Sequence, residues 1–421
     1  MSGPLLSDGT VVVVGASLAG LRASQTLREG GFTGTLVLVG EERHLPYDRP
    51  PLSKQVLSGK WPPERTALAD EVALGALHLD LRLGRRATSL DAAARRVTLD
   101  DGAQLDADGI VLATGASPRR LPGIDGVDVF TLRTLDDAAK LREAIDEAGP
   151  GARVAVVGAG FIGSEVAATC AELGCEVVVL EALQTPLEPA LGELVGAACG
   201  ALHVRHGVEL RAGAPVATIE PATTGSEGSR GSRSRQVVHL SHGDPVSADV
   251  VVVGIGVIPN TRWLEGSGLE LADGVVCDAG LFAADGVVAA GDLARWMWRH
   301  HGEEASVRIE HWEVASQMGV AAAKSLLAGR EAATDFDPVP YFWSDQYGLR
   351  IQVLGHPEPT DEVAVVDGRL DAEDAKFVAI YGRAGKLTAA LAVSRPRQLM
   401  AFRPLLAAGA TFDEGLALLE A

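Results

Sequence analysis

Two stretches of the chain share the same order of apolar, glycine-containing and helical positions. Residues 10–14 and 153–157 are almost entirely apolar, and a turn that contains glycines follows each directly. A continuous apolar run of this length predicts a parallel strand buried on both faces. Both copies continue with a helical stretch and a second apolar strand, at residues 21–29 and 35–39 and at residues 165–173 and 176–180. The pattern therefore predicts two βαβ units.

The remaining pattern predicts strands of two kinds. Short apolar runs at residues 109–113, 249–253 and 286–290 each end in a glycine turn. We expect the strand at residues 249–253 and the turn after residue 290 to complete the first sheet. Beyond residue 329 apolar and polar positions alternate, which predicts a C-terminal domain rich in antiparallel strands. Small polar residues dominate residues 219–236 and predict a loop.

Composition narrows the function classes. The chain has 421 residues, 47% of them hydrophobic, which predicts two to four folded domains and excludes a disordered protein. Its net charge of −19 argues against nucleic acid or an anionic membrane as the main partner. No apolar run is long enough to cross a bilayer. No basic residue precedes the first apolar run, whereas a secretion signal would have one there. We predict a cytoplasmic protein.

The glycine turns predict two dinucleotide sites. In such a turn the first glycine allows the tight bend, the second lets a pyrophosphate approach the backbone, and the third lets the helix pack on the strand. An acidic residue about 20 positions later binds the ribose hydroxyls. The second copy carries Gly158, Gly160, Gly163 and Glu181, and the first carries Gly15, Ser17, Gly20 and Glu41. Ser17 replaces the middle glycine, and its Cβ narrows the approach of the phosphates.

Glu181 also predicts which nicotinamide cofactor is used. A carboxylate accepts hydrogen bonds from a ribose diol, but it repels a 2′-phosphate. Residues 182–184 contain no arginine or lysine to hold such a phosphate. We therefore predict NADH rather than NADPH.

Further motifs in order along almost the whole chain carry a family resemblance. They include Pro46-Tyr-Asp-Arg-Pro-Pro-Leu-Ser-Lys54 and Tyr341-Phe-Trp-Ser-Asp-Gln-Tyr347. The others are at residues 15–20, 113–115, 132–135, 158–165, 254–260, 291–292 and 308–312. With them the chain resembles the FAD-dependent pyridine-nucleotide reductases, and within these the bacterial NADH-dependent ferredoxin and rubredoxin reductases that feed monooxygenases.

The resemblance implies a fold and a domain order. The fold is α/β, with two Rossmann-like dinucleotide-binding domains, one inserted in the other, and a C-terminal α+β domain. Residues 1–115 and 247–329 would form a discontinuous FAD-binding domain, residues 116–246 the NADH-binding domain, and residues 330–421 a domain that covers the flavin.

The resemblance also implies site residues. Lys54 and Glu165 would pair near flavin N5 as the catalytic residues. The positions that match FAD contacts are Gly15, Ser17, Ala19, Gly20, Glu41, Arg49, Lys54, Ala87, Ala113, Thr114, Gly115, Arg133, Asp292 and Trp312. Those that match NADH contacts are Gly158, Gly160, Phe161, Ile162, Gly163, Glu165, Glu181 and Gly256.

The cysteines indicate where electrons would go. Disulfide reductases of this architecture carry a redox cysteine pair after the first βαβ unit, and here residues 47–54 contain no cysteine. Cys170 and Cys175 lie in the second βαβ unit and are interpreted as packing residues. Electrons would therefore leave to an external acceptor, a small iron–sulfur ferredoxin in a transient complex, which supplies an oxygenase of the cytochrome P-450 type. The chain would act as a monomer or homodimer.

Basic residues near the flavin motif suggest where the acidic ferredoxin docks. Arg295, Arg299, His300 and His301 are interpreted as a solvated basic loop, because no further ligand has a spacing that indicates a metal site. Arg395, Arg397 and Arg403 could extend that surface.

Two alternatives remain at this stage. One is an NADH oxidase or a quinone or flavin reductase, which would consume oxygen without an added carrier. The other is a protein similar to apoptosis-inducing factor, in which the bound cofactors mainly switch conformation or partner.

Overall fold

A computed structural model describes residues 5–122, 124, 127–222, 236–301 and 303–419. Most of the predicted polar loop, residues 223–235, lies outside the described residues. The chain divides into two compact units. The first comprises Met1–Asp48, Thr66–Ser117 and Ile258–Pro340, and the second comprises Arg49–Arg65, Pro118–Val257 and Tyr341–Ala421.

The helices and strands are numbered separately along the chain. The helices are α1 (Leu18–Glu29), α2 (Glu71–Ala76), α3 (Leu135–Ala148), α4 (Phe161–Glu172), α5 (Glu188–Arg205), α6 (Trp312–Ala328), α7 (Pro396–Ala401), α8 (Arg403–Ala408) and α9 (Phe412–Ala417). A π-helical turn covers Leu52–Val56, and short 3₁₀ turns cover Pro63–Thr66, Arg262–Leu264 and Gly291–Leu293.

The strands up to residue 221 are β1 (Thr10–Val14), β2 (Thr35–Gly40), β3 (Leu79–Leu83), β4 (Ala87–Asp91), β5 (Arg96–Leu99), β6 (Gln104–Asp106), β7 (Gly109–Leu112), β8 (Ala116–Pro118), β9 (Arg153–Val157), β10 (Glu176–Leu180), β11 (Glu209–Arg211) and β12 (Val216–Pro221). The later strands are β13 (Gln236–Leu240), β14 (Val246–Ala248), β15 (Val250–Val253), β16 (Val257–Pro259), β17 (Val275–Cys277), β18 (Phe282–Ala284), β19 (Val287–Ala289), β20 (Ala294–His300), β21 (Glu303–Val307), β22 (Tyr341–Gln346), β23 (Leu349–Gly355), β24 (Glu362–Gly368), β25 (Phe377–Arg383) and β26 (Lys386–Val393).

The first unit is built on a six-stranded sheet in the order β18-β19-β7-β1-β2-β3. β1 pairs in parallel with β2 and β7, and β7 pairs in parallel with β19. Val11, Val12 and Val13 are completely buried, as the continuous apolar run predicts for a central parallel strand. The first βαβ unit is confirmed, and α1 begins at Leu18, three residues earlier than predicted, directly after the glycine turn.

The second unit contains a four-stranded parallel sheet in the order β11-β10-β9-β15. β9, α4 and β10 form the second predicted βαβ unit, which is also confirmed. The expectation that residues 249–253 complete the first sheet is wrong, because β15 pairs in parallel with β9. The backbone N–H of Arg153 donates to the Asp249 carboxylate at 2.8 Å and fixes this register. Four consecutive valines suit the centre of any parallel sheet, so the apolar pattern did not identify the sheet.

The C-terminal part of the second unit is a five-stranded antiparallel sheet, ordered β22-β23-β26-β25-β24, as the alternating pattern predicted. One face packs on α5, where Leu191 and Val195 meet buried residues of the sheet such as Tyr381. The Tyr381 hydroxyl donates to the Leu191 carbonyl at 3.1 Å.

Among the helices in the described part of the chain, none has the length and apolar character needed to cross a bilayer.

Candidate active site

The first glycine turn joins β1 to α1 in a conformation that only glycines allow. Gly15 has a φ of +122°, and a Cβ there would lie 2.0 Å from the Ala113 carbonyl oxygen. A Cβ on Gly20 would lie 1.9 Å from the Gly15 carbonyl oxygen. Ser17 is the N-cap residue of α1, and its side chain makes no capping hydrogen bond. The first turn of α1 also lacks acidic residues, so its N-terminus can attract an anion.

The carboxyl ends of β1, β7 and β19 bring more of the predicted FAD residues to this turn. Ala113, Thr114 and Gly115 directly follow β7. The Asn260 side-chain amide donates to the Thr114 carbonyl at 2.8 Å, and the Asn260 backbone donates to Gly115 at 2.9 Å. A Cβ on Gly291 would lie 3.2 Å from the Ala19 Cβ, so the turn that carries Asp292 packs against the start of α1.

The other predicted FAD residues of the first unit lie at element ends. Glu41 directly follows β2 and is exposed, whereas Ala87 is buried at the start of β4. The segments that carry Glu41 and Ala87 lie close together, and the backbone N–H of Arg85 donates to the Gly40 carbonyl at 2.9 Å. Trp312 begins α6, and its indole N–H donates to Asp48 at 2.6 Å.

The second glycine turn, between β9 and α4, has the same geometry with one informative difference. Gly158 has a φ of +100°, and a Cβ on Gly163 would lie 2.1 Å from the Gly158 carbonyl oxygen. A Cβ on Gly160 would meet no described atom within 4 Å, so the turn is open at its middle glycine. Gly160 is the N-cap residue of α4, whose first turn has no acidic residue. This opening lies where a pyrophosphate would approach the helix N-terminus.

The first residues of α4 face different surroundings. The Phe161 ring packs edge-on against Phe342, with ring centroids 4.9 Å apart. Ile162 is 48% exposed, which leaves its side chain available to a ligand. Gly256 follows β15 with a φ of +95°, and its carbonyl accepts a hydrogen bond from the Arg119 backbone at 2.9 Å.

Glu181, directly after β10, is held in place by two backbone hydrogen bonds. One carboxylate oxygen accepts the Ala159 backbone N–H of the glycine turn at 2.6 Å. The other accepts the Leu183 backbone N–H at 2.9 Å. Each oxygen keeps acceptor capacity, because a carboxylate has about four lone-pair positions.

Lys54 and Glu165 form a buried ion pair, as the resemblance implied. The Lys54 ammonium lies 2.8 Å from Glu165 Oε2, and the side chains are 12% and 4% exposed. Lys54 is part of the π-helical turn and Glu165 lies in the second turn of α4. π-Helical turns are rare in proteins, and they occur often at functional sites.

Three further donors to Glu165 were not predicted from the sequence. The Ser53 hydroxyl donates to Oε2 at 2.6 Å, the Ser344 hydroxyl to Oε1 at 2.8 Å and the Asp345 backbone N–H to Oε1 at 3.2 Å. Each oxygen therefore has two donors, which together satisfy the buried carboxylate. Both serines lie in motifs already singled out, but 112 and 179 residues separate them from Glu165, so no local pattern indicates the contact.

Arg49 and Arg133, two predicted FAD residues of the second unit, are brought together. The Arg49 guanidinium donates to the Arg133 carbonyl. The Arg133 backbone N–H donates to Asp137 at 3.0 Å, beside the capping box that starts α3.

A cleft of about 590 Å³ opens beside Lys54 in the second unit. Its lining includes Thr169, Tyr347 and two cations that are already paired, Lys60 with Glu172 and Arg350 with Asp345. Behind Tyr347 lies His203, whose Nδ1 is 2.6 Å from the tyrosine hydroxyl. Burial lowers the pKa of His203 to about 4, so the ring is neutral at pH 7.

Of the four basic residues predicted as a solvated loop, three lie in a strand instead, and His301 lies in the turn after it. Arg295, Arg299 and His300 all lie in β20, which pairs with β17 and β21. Arg295 lies near Asp273, Arg299 near Glu304 and Asp335, and His300 near Asp337. Backbone pairing with β17 and β21 makes this stretch a strand, although its basic residues suggested a loop. The neighbouring acids neutralise much of the positive charge expected there. Arg395 likewise lies 3.5 Å from Asp367.

Comparisons with known proteins agree with this geometry. Residues 9–319 match the family model of pyridine nucleotide-disulphide oxidoreductases, and residues 341–418 match a model described as reductase C-terminal. The ferredoxin–NAD(+) reductase component of an anthranilate 1,2-dioxygenase system from Burkholderia cepacia is 39% identical over 412 residues, or 97% of this chain and 96% of that protein.

Two more similar proteins bear on the functions considered from the sequence. Human apoptosis-inducing factor 3 is 35% identical over 390 residues, which cover 91% of this chain but 60% of that protein. The crystal structure of a covalent putidaredoxin reductase–putidaredoxin complex superposes with a TM-score of 0.86 at 31% identity, covering 95% of this chain and 93% of that one.

Proposed function

Because the chain belongs to the family of pyridine nucleotide-disulphide oxidoreductases, we propose that it is an NADH-dependent ferredoxin reductase. It uses FAD and NADH, and its product is a reduced iron–sulfur ferredoxin. The residues fit both cofactors, because each glycine turn has two positions that only glycine can occupy and leads into a helix N-terminus without acidic residues. FAD would bind at the turn after β1 and NADH at the turn after β9.

The observation that carries this proposal is the ion pair of Lys54 and Glu165. It occupies the π-helical turn that follows the first βαβ unit, where disulfide reductases of this architecture carry their redox thiols. Residues 47–54 contain no cysteine that could accept electrons. A thiol substrate therefore has no relay here, and a protein acceptor is favoured.

The roles of the chain's own residues follow from their positions. In this family bound FAD supplies the redox chemistry, because it accepts hydride from NADH and releases electrons singly. Lys54 would favour negative charge next to it, and Glu165 would hold Lys54 and orient the nicotinamide. Glu181 would bind the adenosine ribose, and Asp292 and Arg133 would bind FAD, each from the end of a helix or strand.

The reduced ferredoxin would supply an oxygenase, which is supported by the Burkholderia relative being the ferredoxin–NAD(+) reductase component of a dioxygenase system. A cytochrome P-450-type oxygenase, the narrower sequence-based prediction, has the support of the putidaredoxin reductase likeness. The two are separated by reconstitution with the ferredoxin of each system. The cytoplasmic location, the domain boundaries, and the monomeric or homodimeric state all stay predictions.

The test is stopped-flow mixing of the FAD-loaded protein with NADH, followed by candidate ferredoxins. We expect flavin bleaching by NADH and then reduction of the iron–sulfur cluster, with little oxygen uptake when the ferredoxin is omitted. Rapid oxygen uptake without a carrier would favour the oxidase alternative. Slow turnover with a long-lived reduced complex would favour a role similar to apoptosis-inducing factor.

The position of Glu181 predicts strong preference for NADH. A 2′-phosphate would lie against the carboxylate, so we expect kcat/KM for NADPH to be about 100-fold lower than for NADH. Glu181→Ala should narrow that ratio by raising the KM for NADH. Glu176→Ala, an exposed residue at the other end of β10, is the control and should leave the ratio unchanged. Equal kcat/KM values for the two cofactors in the unmodified protein would refute the assignment.

A further inference from the structure

Cys170 and Cys175 are held together by the way α4 ends. The backbone N–H of Cys175 donates to the Cys170 carbonyl at 3.0 Å, and that of Gly174 donates to the Ala171 carbonyl at 3.0 Å. With Gly174 at a φ of +80°, these two bonds define a Schellman motif. The motif brings the side chains of its third-last helical residue and of the second residue after the cap into contact, and here both are cysteines. The two thiols are hydrogen-bonded to each other.

The two thiols differ in exposure and in acidity. Cys170 is completely buried, whereas Cys175 is partly exposed. The hydrogen bond from Cys170 and the nearby charge of Arg142 lower the pKa of Cys175, although burial and Asp146 oppose this. The same hydrogen bond, together with burial, raises the pKa of Cys170. An oxidant can therefore reach a thiol whose pKa is lowered, and this thiol lies beside a partner thiol whose pKa is raised.

From this pairing we propose that Cys170 and Cys175 form a peroxide-sensitive modification site, separate from the cofactor residues. The Cys175 thiolate attacks hydrogen peroxide, the O–O bond breaks, and the thiol becomes a sulfenic acid while hydroxide leaves and is protonated to water. The Cys170 sulfur then attacks the Cys175 sulfur, the S–O bond breaks, and the Cys170 proton leaves with the hydroxyl as a second water. Two thiols lose two electrons to one peroxide, and the product is a disulfide.

The other two cysteines are internal controls. Cys199 and Cys277 are 2% and 4% exposed. Burial raises the pKa of Cys199 to about 12, and burial together with the charge of Asp278 raises that of Cys277. Neither has the exposure or the partner that the proposed chemistry needs, so equimolar peroxide should leave both as thiols.

The glutamates around the two cysteines allow a proteolytic test of the proposed disulfide. A protease that cuts after glutamate separates Cys170, in the peptide 166–172, from Cys175, in the peptide 173–176. The FAD-loaded, reduced protein is treated with equimolar hydrogen peroxide, alkylated, unfolded and digested, and the peptides are weighed by mass spectrometry. We expect the two peptides to appear as one disulfide-linked species that dithiothreitol separates. Cys175→Ser should abolish it, and Cys199→Ser should leave it unchanged.

Other outcomes would overturn the proposal. These are recovery of both peptides in alkylated form after peroxide, accumulation of sulfinic acid at Cys175 with Cys170 still a thiol, or equal oxidation of Cys199. Ferredoxin reduction by Cys175→Ser should match the unmodified protein, because the site lies outside the proposed electron path. Loss of that turnover in a folded Cys175→Ser protein would instead make the thiol part of the path and contradict a separate modification site.

Discussion

Replacing Lys54 with methionine is expected to slow flavin reduction by NADH about 100-fold, the usual scale for losing one preorganised charge at a reacting centre. Methionine keeps the length of the side chain but removes the ammonium that lies 2.8 Å from Glu165. Ser53, Ser344 and the Asp345 backbone still donate to the carboxylate, so the buried charge keeps three of its four donors. The loss should therefore appear mainly in the hydride-transfer rate, measured by stopped-flow absorbance, and only slightly in the melting temperature.

Lys60→Met is the matched control for this experiment. Lys60 lies six positions further along the chain and also pairs with a carboxylate of α4, Glu172, but both side chains are more than half exposed. Exposed pairs contribute about 0–1 kcal/mol, so this variant should behave as the unmodified protein in stability and rate. A Lys54→Met protein that is reduced as fast as Lys60→Met would remove Lys54 from the mechanism.

Alanine at two glycines of the second turn should separate folding from nucleotide binding. In Gly163→Ala the new Cβ would lie 2.1 Å from the Gly158 carbonyl oxygen, so backbone must move. We expect the free energy of unfolding to fall by about 1–3 kcal/mol, the usual cost of overpacking. In Gly160→Ala the new Cβ meets no atom of the described residues within 4 Å, and the φ of −74° is ordinary, so the stability should be unchanged. Its KM for NADH should nevertheless rise about tenfold, because the methyl group occupies the pyrophosphate approach.

The measurements are denaturant unfolding and steady-state kinetics on the same two proteins. Flavin content is the internal control, since both substitutions are remote in sequence from the first glycine turn. If Gly160→Ala binds NADH normally, the nucleotide does not use this opening, and the assignment of the second turn would have to be abandoned.

Local pattern predicted most of the fold, because burial on both faces and helical spacing leave direct marks on the sequence. β1, β2, β9 and β10 lie within one residue of their predicted bounds. What the pattern lacked was information on pairing. β15 was assigned to the wrong sheet because its valines would be buried equally well in either one.

Some parts of the candidate site could likewise be predicted from local pattern, and others could not. Positions that need a special backbone, such as Gly15 and Gly158, could be found from the sequence because no other residue fits there. The donors to Glu165 could not, because a hydroxyl at position 53 or 344 has many uses and only the tertiary fold brings it to the carboxylate. Likewise, the ion pairs of β20 depend on acids up to 37 residues away, which composition alone does not connect.

The hold of β22 on Glu165 limits how freely such proteins can exchange parts. Half of the hydrogen bonds to that carboxylate come from the C-terminal sheet, through Ser344 and the backbone of Asp345. A chimera that takes this sheet from another member of the family would keep the buried acid intact only if the donor strand brings a hydroxyl and a free amide to the same two positions. Recombination at the start of β22 is thus constrained by chemistry in the neighbouring helix, although the junction itself lies at the first residue of a strand.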